Sequence, residues 1–517
     1  MDFNAWALTA VVFLPLVGLA VVLIIPKEDE RTIKGVTLLS TLASFGVALY
    51  VLVHWVTNKF YEADKLAAYV KAHGETPFEV KESWIDVINS NYHIEVDGLG
   101  LPLMVLSAFI TLLCVVYSWN HFPEPHNPKA FLALILLLEV GMNGTFVAQD
   151  LILFFIFFEI VLLPMYFMIG VWGGPNREYA SIKFFLFTLF GSAFMLLGFL
   201  ALYFKGGRTF DIEELMHSTE LAGLANSTQL WIFGGLALGF AIKVPMFPFH
   251  TWLPDAHTEA PTVGSVLLAA ILLKLGTYGF VKIALPILPD AADTFAPWIG
   301  GLAVIGIIYG ALGCLAQTDM KRLIAFSSVA HMGFVMLGIA SGTTFGINAA
   351  IFGMVAHGLI TGMLFFIAGS VQHTFHTREL SRLGGLLTQA PKMGWILGFC
   401  VMASLGLPGL AGFWGEFPAI LSAFNPAAGI DKTELFRGYM VVAAIGTVLA
   451  AGYLLWMLQK VAFGAPKDEF KDAHIHDVSD AEWIAWLPIL ALIVALGVYP
   501  NLLFKLTDSS VTQLFGG

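Results

Sequence analysis

The sequence predicts an all-α integral membrane protein of about fourteen transmembrane helices, with two inverted five-helix repeats and with helices seven and twelve discontinuous. Three observations carry that expectation: a very apolar composition, a succession of apolar runs of crossing length, and glycine and proline breakers beside charges in two overlong runs. Apolar residues make up 58% of the chain and charged residues 12%, with a mean hydropathy of +0.80. Soluble domains carry about 25% charged residues. The formal charge of −11 does not signal a polyanion partner, because acidic residues collect in 59–97 and 466–482, and no nucleic-acid signature is present. Cys114, Cys314 and Cys400 stand alone in apolar runs without any C-x-x-C, so no iron–sulfur, zinc or disulfide chemistry is expected.

Runs of about 17–25 residues are long enough to cross a bilayer. They lie near 5–25, 35–55, 99–119, 129–149, 151–172, 179–204 and 229–256, then near 262–288, 296–317, 323–341, 347–371, 393–423, 437–463 and 483–505. The first is read as a retained span and not a signal peptide: its start lacks Lys or Arg, and IIPKEDE is no small-residue cleavage site. An even number of crossings puts both termini on one side. The opposite side holds Lys27, Arg31, Lys34, Lys129, Arg177, Lys183, Lys321, Arg322, Arg378, Arg382, Lys392, Lys460, Lys467 and Lys471, fourteen cations against ten on the terminal side. By the positive-inside rule the termini face away from the cytoplasm, and the acidic 59–97 stretch reads as a solvated extracytoplasmic excursion.

Residues 229–256 would form a helix of about 42 Å at 1.5 Å per residue, too long for a core of roughly 30 Å. Pro245 and Pro248 follow Lys243 there, and Gly406, Pro408, Gly409, Gly412 and Gly415 precede Glu416 in the other long run. Proline removes a backbone donor and disfavours helix at the residue before it. Both runs are therefore expected to break. They are the fourth members of two consecutive five-helix sets, which an odd number of crossings places in opposite orientation, and paired broken spans point to inverted repeats with a site at midplane. The resulting division is 1–128 (helices one to three with a long loop), 129–288 (first repeat), 296–463 (second repeat) and 464–517 (a loop and helix fourteen).

Lys243, Lys274, Glu159 and Glu416 are charges inside apolar runs. At roughly 2.5–3.5 kcal/mol each near the bilayer centre, they cost on the order of 10–14 kcal/mol together. Structural salt bridges between helices are the bland account, and an ion path is the stronger one. Burial alone favours the neutral form of a lysine or a carboxyl, whereas proximity of the two favours both charged forms. A swing of three pKa units is worth about 4.1 kcal/mol, against about 2.3 kcal/mol to move one charge across 100 mV, so a Glu159–Lys243 switch is strong enough to pump. Lysine suits the task because arginine does not release its proton. His331 and His357 lie mid-span between Lys274 and Glu416 and titrate near neutrality. Either could instead be a packing histidine. Glu139, in LILLLEVGMNG, is a further midplane charge, read as a partner on the Glu159 side or as a local helix–helix hydrogen bond. The stretch from His250 to Glu259 completes no metal-ligand spacing and reads as a water-filled intake with helix capping by Asp255 and Thr262. His373 and His376 read as interfacial.

At these residues the chain resembles the antiporter-like membrane subunits of respiratory complex I. The matching strings are DGLGLP at 97–102, FFEIVLLPMYFMIGVWGG at 157–174, IKVPMFPFHTWLPDAHTEAPTVGSVLLAAILLKLGTYG at 242–279, TDMKRLIAFSSVAHMGFVMLGI at 318–339, AHGL at 356–359 and SLGLPGLAGFWGEF at 404–417. The resemblance implies a proton-translocating subunit of a bacterial inner membrane. Its motif residues fall on Glu159, Lys243, Lys274 and Glu416, with His331 and His357 as linking histidines; Glu139 lies outside the motif set. NAD, FMN, iron–sulfur clusters and quinone are expected in partner subunits and none in this chain. The partners implied are neighbouring antiporter-like subunits on both flanks. The short stretch after span fourteen suits the chain-4 type, since it leaves no room for a long lateral helix, whereas the long 56–98 loop departs from compact members. Two other classes share the machinery: a multisubunit cation/proton antiporter without a redox partner, and the equivalent subunit of a ferredoxin-driven complex or membrane-bound hydrogenase.

Overall fold

The computed structural model describes residues 3–471 and 475–516, so part of the acidic 466–482 stretch lies outside the described residues. Among the described residues, twelve helices are long and apolar enough to cross a membrane. In chain order they and their neighbours are α1 (Asn4–Ile24), α2 (Glu30–Thr57), the short α3 (Ala63–His73), α4 (Gly100–Ser118), α5 (Pro128–Val147), α6 (Leu151–Trp172) and α7 (Arg177–Lys205). Next come α8 (Asn226–Lys243), α9 (Trp252–Glu259), α10 (Thr262–Ile287), α11 (Pro289–Leu315), α12 (Met320–Ala340) and α13 (Thr344–Phe375). The chain ends with α14 (Pro391–Ser404), α15 (Ala411–Ser422), α16 (Thr433–Ala462), α17 (Asp480–Val498) and α18 (Asn501–Phe515).

The helices are nested. The most apolar windows of α10 and α13 are 100% buried and that of α12 is 94% buried, against 33% for α2 and 39% for α1, α7, α16 and α17. The inner helices carry Lys274, His331 and His357, while the outer ones expose apolar side chains such as Leu186, Leu197 and Val448. That is the distribution expected when lipid is the solvent and ionisable groups must face protein.

Helix α8 stops at Lys243, and the chain runs irregularly through Pro245 and Pro248 before a 3₁₀ turn at Phe249–Thr251 leads into α9. The Trp252 indole donates to the Ile242 carbonyl at 2.9 Å and so splints the gap. The second interruption separates α14 from α15. There Gly406 (φ +79°) and Gly409 (φ +94°) take left-handed backbone that a side chain would strain.

Two expectations are corrected. The fold is mostly rather than wholly helical: the 59–97 stretch is largely exposed, as a solvated excursion should be, but it holds α3 and an antiparallel hairpin of β1 (Val80–Ile85) and β2 (Ser90–Ile94), with Val80 opposite Ile94. Some of its charged groups anchor it through ion pairs, while Asp64, Lys65, Lys71, Glu75, Glu82 and Asp86 stay exposed. Asp150 caps α6 and accepts from Asn91 N (2.9 Å) and Ser90 Oγ (3.0 Å) of the hairpin. Asp211 Oδ2 lies 2.7 Å from His93 Nδ1 and 2.8 Å from Lys81 Nζ, and His93 Nε2 lies 3.3 Å from Glu79 Oε1. The last apolar run also ends early, at Val498. Pro500 disfavours helix at Tyr499, and α18 then packs Leu503, Leu506 and Val511 inward, bonded through Ser510 to the Gly98 amide and through Asp508 to Asn348.

Burial pushes His93 down, but its contacts to Asp211 and Glu79 outweigh that and hold it up at about 9. A folded-state value above the ordinary 6.5 stabilises most below pH 6.5 and is lost as pH rises through 9. Asp211, held below the usual carboxylate range by His93 and Lys81 against burial, contributes at all pH values above that range. Protection from hydrogen exchange in 78–94, measured relative to the base-catalysed intrinsic rate at each pH, should therefore be higher near pH 6 than at pH 9.5; His93→Gln should remove that difference in protection.

Candidate functional site

The midplane of the inner helices holds one connected set of ionisable side chains. Helix α10 is wound as π turns at Leu268–Leu272 and Phe280–Ala284, and Lys274 sits between them, 0% exposed. Such π turns recur where function distorts a helix. The Lys274 ammonium turns back to donate to the Ala269 carbonyl of the first π turn and lies 2.6 Å from His357 Nδ1 of α13. The His357 and His331 rings are 6.0 Å apart between centroids. His331, on α12, lies 2.6 Å from Glu416 Oε1 through Nδ1, and its Nε2 is 3.2 Å from Ser404 Oγ and 3.3 Å from Tyr453 OH.

A cavity of about 20 Å3 lies in this line, bordered by His331, His357, Thr361, Ser404, Gly415 and Glu416. By the same measure one water needs about 10–15 Å3, so the space suits a single water between the rings. Among the described residues, His357 Nε2 has no hydrogen-bond partner. Glu416 reaches His331 because α15 presses against α13 at paired glycines: a Cβ on Gly415 would stand 2.5 Å from Gly353 Cα.

Lys243 ends α8, where the partial negative charge of a helix C-terminus favours an ammonium. It is 2% exposed, and its Nζ lies 4.8 Å from the Phe158 ring centroid, a cation–π contact worth about 0.5–2 kcal/mol. Glu159, the next residue along α6, faces Lys243 and Ser192 but forms no contact ion pair with Lys243 among the described residues. Gly276 lets α8 approach α10: a Cβ there would meet Lys243 Cβ at 3.0 Å, which brings the two lysines onto abutting turns.

Other candidates fall elsewhere. Glu139 is 0% exposed on α5 toward α2, with Ser44 facing its carboxyl but neither oxygen hydrogen-bonded; it is not joined to the line above. Asp255 does not cap a helix. It pairs with Lys183 (2.7 Å) and Arg322 (3.1 Å), and His257 is fully buried with its ring stacked on Phe365 instead of lining an open intake. Among the described residues no group of three His, Cys, Asp or Glu is gathered as for a metal. Sequence reasoning missed Ser404 and Tyr453, the two hydroxyls on His331. Ser404 adjoins a legible helix break, but nothing in α16 marks Tyr453. It also missed the 2.8 Å pair of Lys282 with Asp97.

The transmembrane family described as NADH:quinone oxidoreductase/Mrp antiporter matches residues 148–430, and the amino terminus of NADH-ubiquinone oxidoreductase chain 4 matches residues 78–145. The chain belongs to this family, on its chain-4 (subunit M) branch. It is 39% identical to NADH-quinone oxidoreductase subunit M of Rickettsia prowazekii, covering 97% of each chain, and 38% identical to that of Rhodobacter capsulatus, covering 98% of this chain and 96% of the relative. A chain of respiratory complex I from Thermus thermophilus with bound NADH superposes with a TM-score of 0.83 at 29% identity, over 99% of this chain and all of that one. As in these bacterial subunits, the protein is a multi-pass component of an inner membrane.

Gly415→Ala should force α15 from α13 and draw Glu416 away from His331, cutting proton-coupled quinone reduction severalfold and costing about 1–3 kcal/mol of stability as overpacking does. Gly398→Ala, whose nearest neighbour would be Leu458 at 4.0 Å, should leave both unchanged. Assembled complexes carrying each variant, assayed for activity and thermal unfolding, check the pair.

Proposed function

We propose that this proton-translocating subunit of NADH:quinone oxidoreductase carries protons along Glu159, Lys243, Lys274, His357, His331 and Glu416, driven by quinone reduction in other subunits. The observation that supports the reading is the line in which Lys274 lies 2.6 Å from His357, a cavity of about 20 Å3 separates His357 from His331, and His331 lies 2.6 Å from Glu416. A buried lysine with no carboxylate of its own, held by a carbonyl and an imidazole, is poised to pass its proton to that imidazole. His331 then stands between a carboxylate on one nitrogen and two hydroxyls on the other, so it can take a proton on one side as it gives one up on the other.

The separated Glu159 and Lys243 fit the input end of such a device. When the carboxylate approaches, the ammonium form of Lys243 is favoured; when it withdraws, the lysine's proton is released toward Lys274. The supply of force comes from outside the chain. In this reading NADH, flavin, iron–sulfur clusters and quinone belong to partner subunits, and neighbouring antiporter-like subunits sit on both flanks. The twelve unbroken crossings together with α8–α9 and α14–α15 make fourteen, and 129–288 and 296–463 are the two inverted five-helix repeats, each with its broken helix fourth. Glu139 is left packed between α5 and α2, outside the relay.

Lys243→Ala should assemble and yet depress proton-coupled electron transfer by about tenfold or more, the scale of losing a positioned acid–base group. Full pumping by assembled mutant complex would rule the assignment out. Glu159→Gln should slow turnover while Glu159→Asp is milder, and equal wild-type behaviour of both would remove the switch.

A further inference from the structure

A second cluster of titratable groups lies at the end of the molecule opposite the termini, away from the midplane line. It is assembled from the last turn of α4, the last turns of α13 and the first turn of α17. Glu482, 3% exposed, divides its carboxylate between two tasks. Oε2 accepts from Ser479 N (2.7 Å) and Ser479 Oγ (2.8 Å), completing a capping box that starts α17. Oε1 accepts from Ser370 Oγ and lies 3.5 Å from His121 Nε2. Ser370 Oγ is in turn 3.1 Å from the hydroxyl of Tyr117, which is 1% exposed and whose ring stacks on His121 at 4.6 Å. His121 meets the exposed His373 at 5.0 Å between centroids.

We propose that His121, Glu482, Ser370 and Tyr117 form a proton-collecting station on the cytoplasmic face, which loads the helix that carries Lys274. The proposal rests on the relay described above and adds a place where protons are taken from water. The positive-inside count puts this end of the chain at the cytoplasm. Solvent reaches the exposed His373 and the partly exposed His121, and the buried members then follow in order of depth.

The inner end of the cluster meets the start of α10. Tyr117 faces Thr262, and α13 comes so close there that a Cβ on Gly369 would stand 2.3 Å from the Thr262 side chain. From Thr262 to Lys274 is twelve residues, about 18 Å of helix. The fully buried Ser265 and His257 lie beside that length, bonded through Ser265 Oγ and the His257 carbonyl at 2.9 Å, with both His257 ring nitrogens unpartnered.

The step balances within the groups present. A proton given by His121 Nε2 arrives on Glu482 Oε1. The imidazole left neutral reloads from water, and the neutral Glu482 carboxyl then donates to Ser370 Oγ while the Ser370 and Tyr117 hydroxyls turn to donate one place further inward, Tyr117 toward Thr262. Each hydroxyl keeps its one proton, and the proton taken from water is held on Glu482. The titratable groups facing Glu482 are Tyr117 from the last turn of α4, His121 just past its end and, behind His121, His373 from α13; among the described ion pairs no lysine or arginine holds Glu482. Burial pushes His121 down, with His373 adding to that and Glu482 opposing it, so the ring gives up its proton readily near neutral pH.

A purely structural Glu482 would serve only as the cap, and glutamine fills that role in a capping box equally well. Glu482→Gln therefore separates the two accounts. The assay is the assembled complex in inside-out membrane vesicles, with NADH-driven quinone reduction and acidification of the lumen read together as external pH is raised from about 6 to 8.5, where protons become scarce at an imidazole- and carboxylate-based intake. Relative to wild type, Glu482→Gln should stay within about twofold at pH 6 and lose about fivefold or more at pH 8.5, the low end of the range for a lost proton-transfer group. Ser370→Ala, which breaks the link to Tyr117 without touching the cap, should follow the same trend and decides the matter if Glu482→Gln does not assemble. A constant ratio to wild type across the range, whether unchanged or uniformly reduced, overturns the station. Lys243→Ala, expected to stop pumping at every pH, distinguishes failure of the station from failure of the relay.

Discussion

Everything at the centre of this molecule follows from placing the Lys274 ammonium where no water-filled surface can reach it. A cation there costs several kcal/mol unless polar partners surround it, and the structure answers with a carbonyl freed by a π turn on its own helix and an imidazole on the facing one. The imidazole is then a buried polar group in its turn, and the requirement is handed on through the cavity to His331 and from there to Glu416 and the hydroxyls of Ser404 and Tyr453. In the proposed relay, what makes each group tolerable in lipid also makes it a neighbour to which a proton can pass.

The irregular backbone serves the same end. Unpaired carbonyls are tolerated at membrane depth only inside protein, and the interruptions between α8 and α9 and between α14 and α15 lie beside Lys243 and Glu416, packed on neighbouring helices. The first leaves a helix C-terminus pointing at an ammonium. The second uses left-handed glycines to turn, and a glycine pair to press Glu416 inward. Outer helices such as α7 and α16 run unbroken, because they bear none of these charges and need only an apolar face for lipid and small residues for packing.

Much of this was legible in the sequence. Charges in apolar runs, proline and glycine next to two of them, and mid-span histidines pick out the residues the fold brings into one line, because lipid penalises such residues unless they face protein. What escaped was what lipid does not penalise. The 59–97 stretch reads as solvated because it is polar, and most of it is exposed; only the three-dimensional pairing of His93 and Lys81 with Asp211 shows that it is also tied to a segment more than a hundred residues further along the chain. Tyr453 looks like any membrane-helix tyrosine until it meets His331. The π turns of α10 have no mark in a run of leucine and alanine, and Asp255 reads as a cap because its cationic partners, Lys183 and Arg322, come from other helices. Glu139 shows the limit of the charge criterion: it is as buried as Lys274 and stands apart from the line.

The account depends on His357 and His331 being joined by water across the small cavity between their rings. An experimental density map of the assembled complex, at a resolution that shows ordered water, tests this directly. The account predicts a water peak within hydrogen-bonding distance of His357 Nε2 and connected to the His331–Glu416 pair. A dry gap closed by Val335 and Ile360, with the two rings turned away from each other, would contradict it.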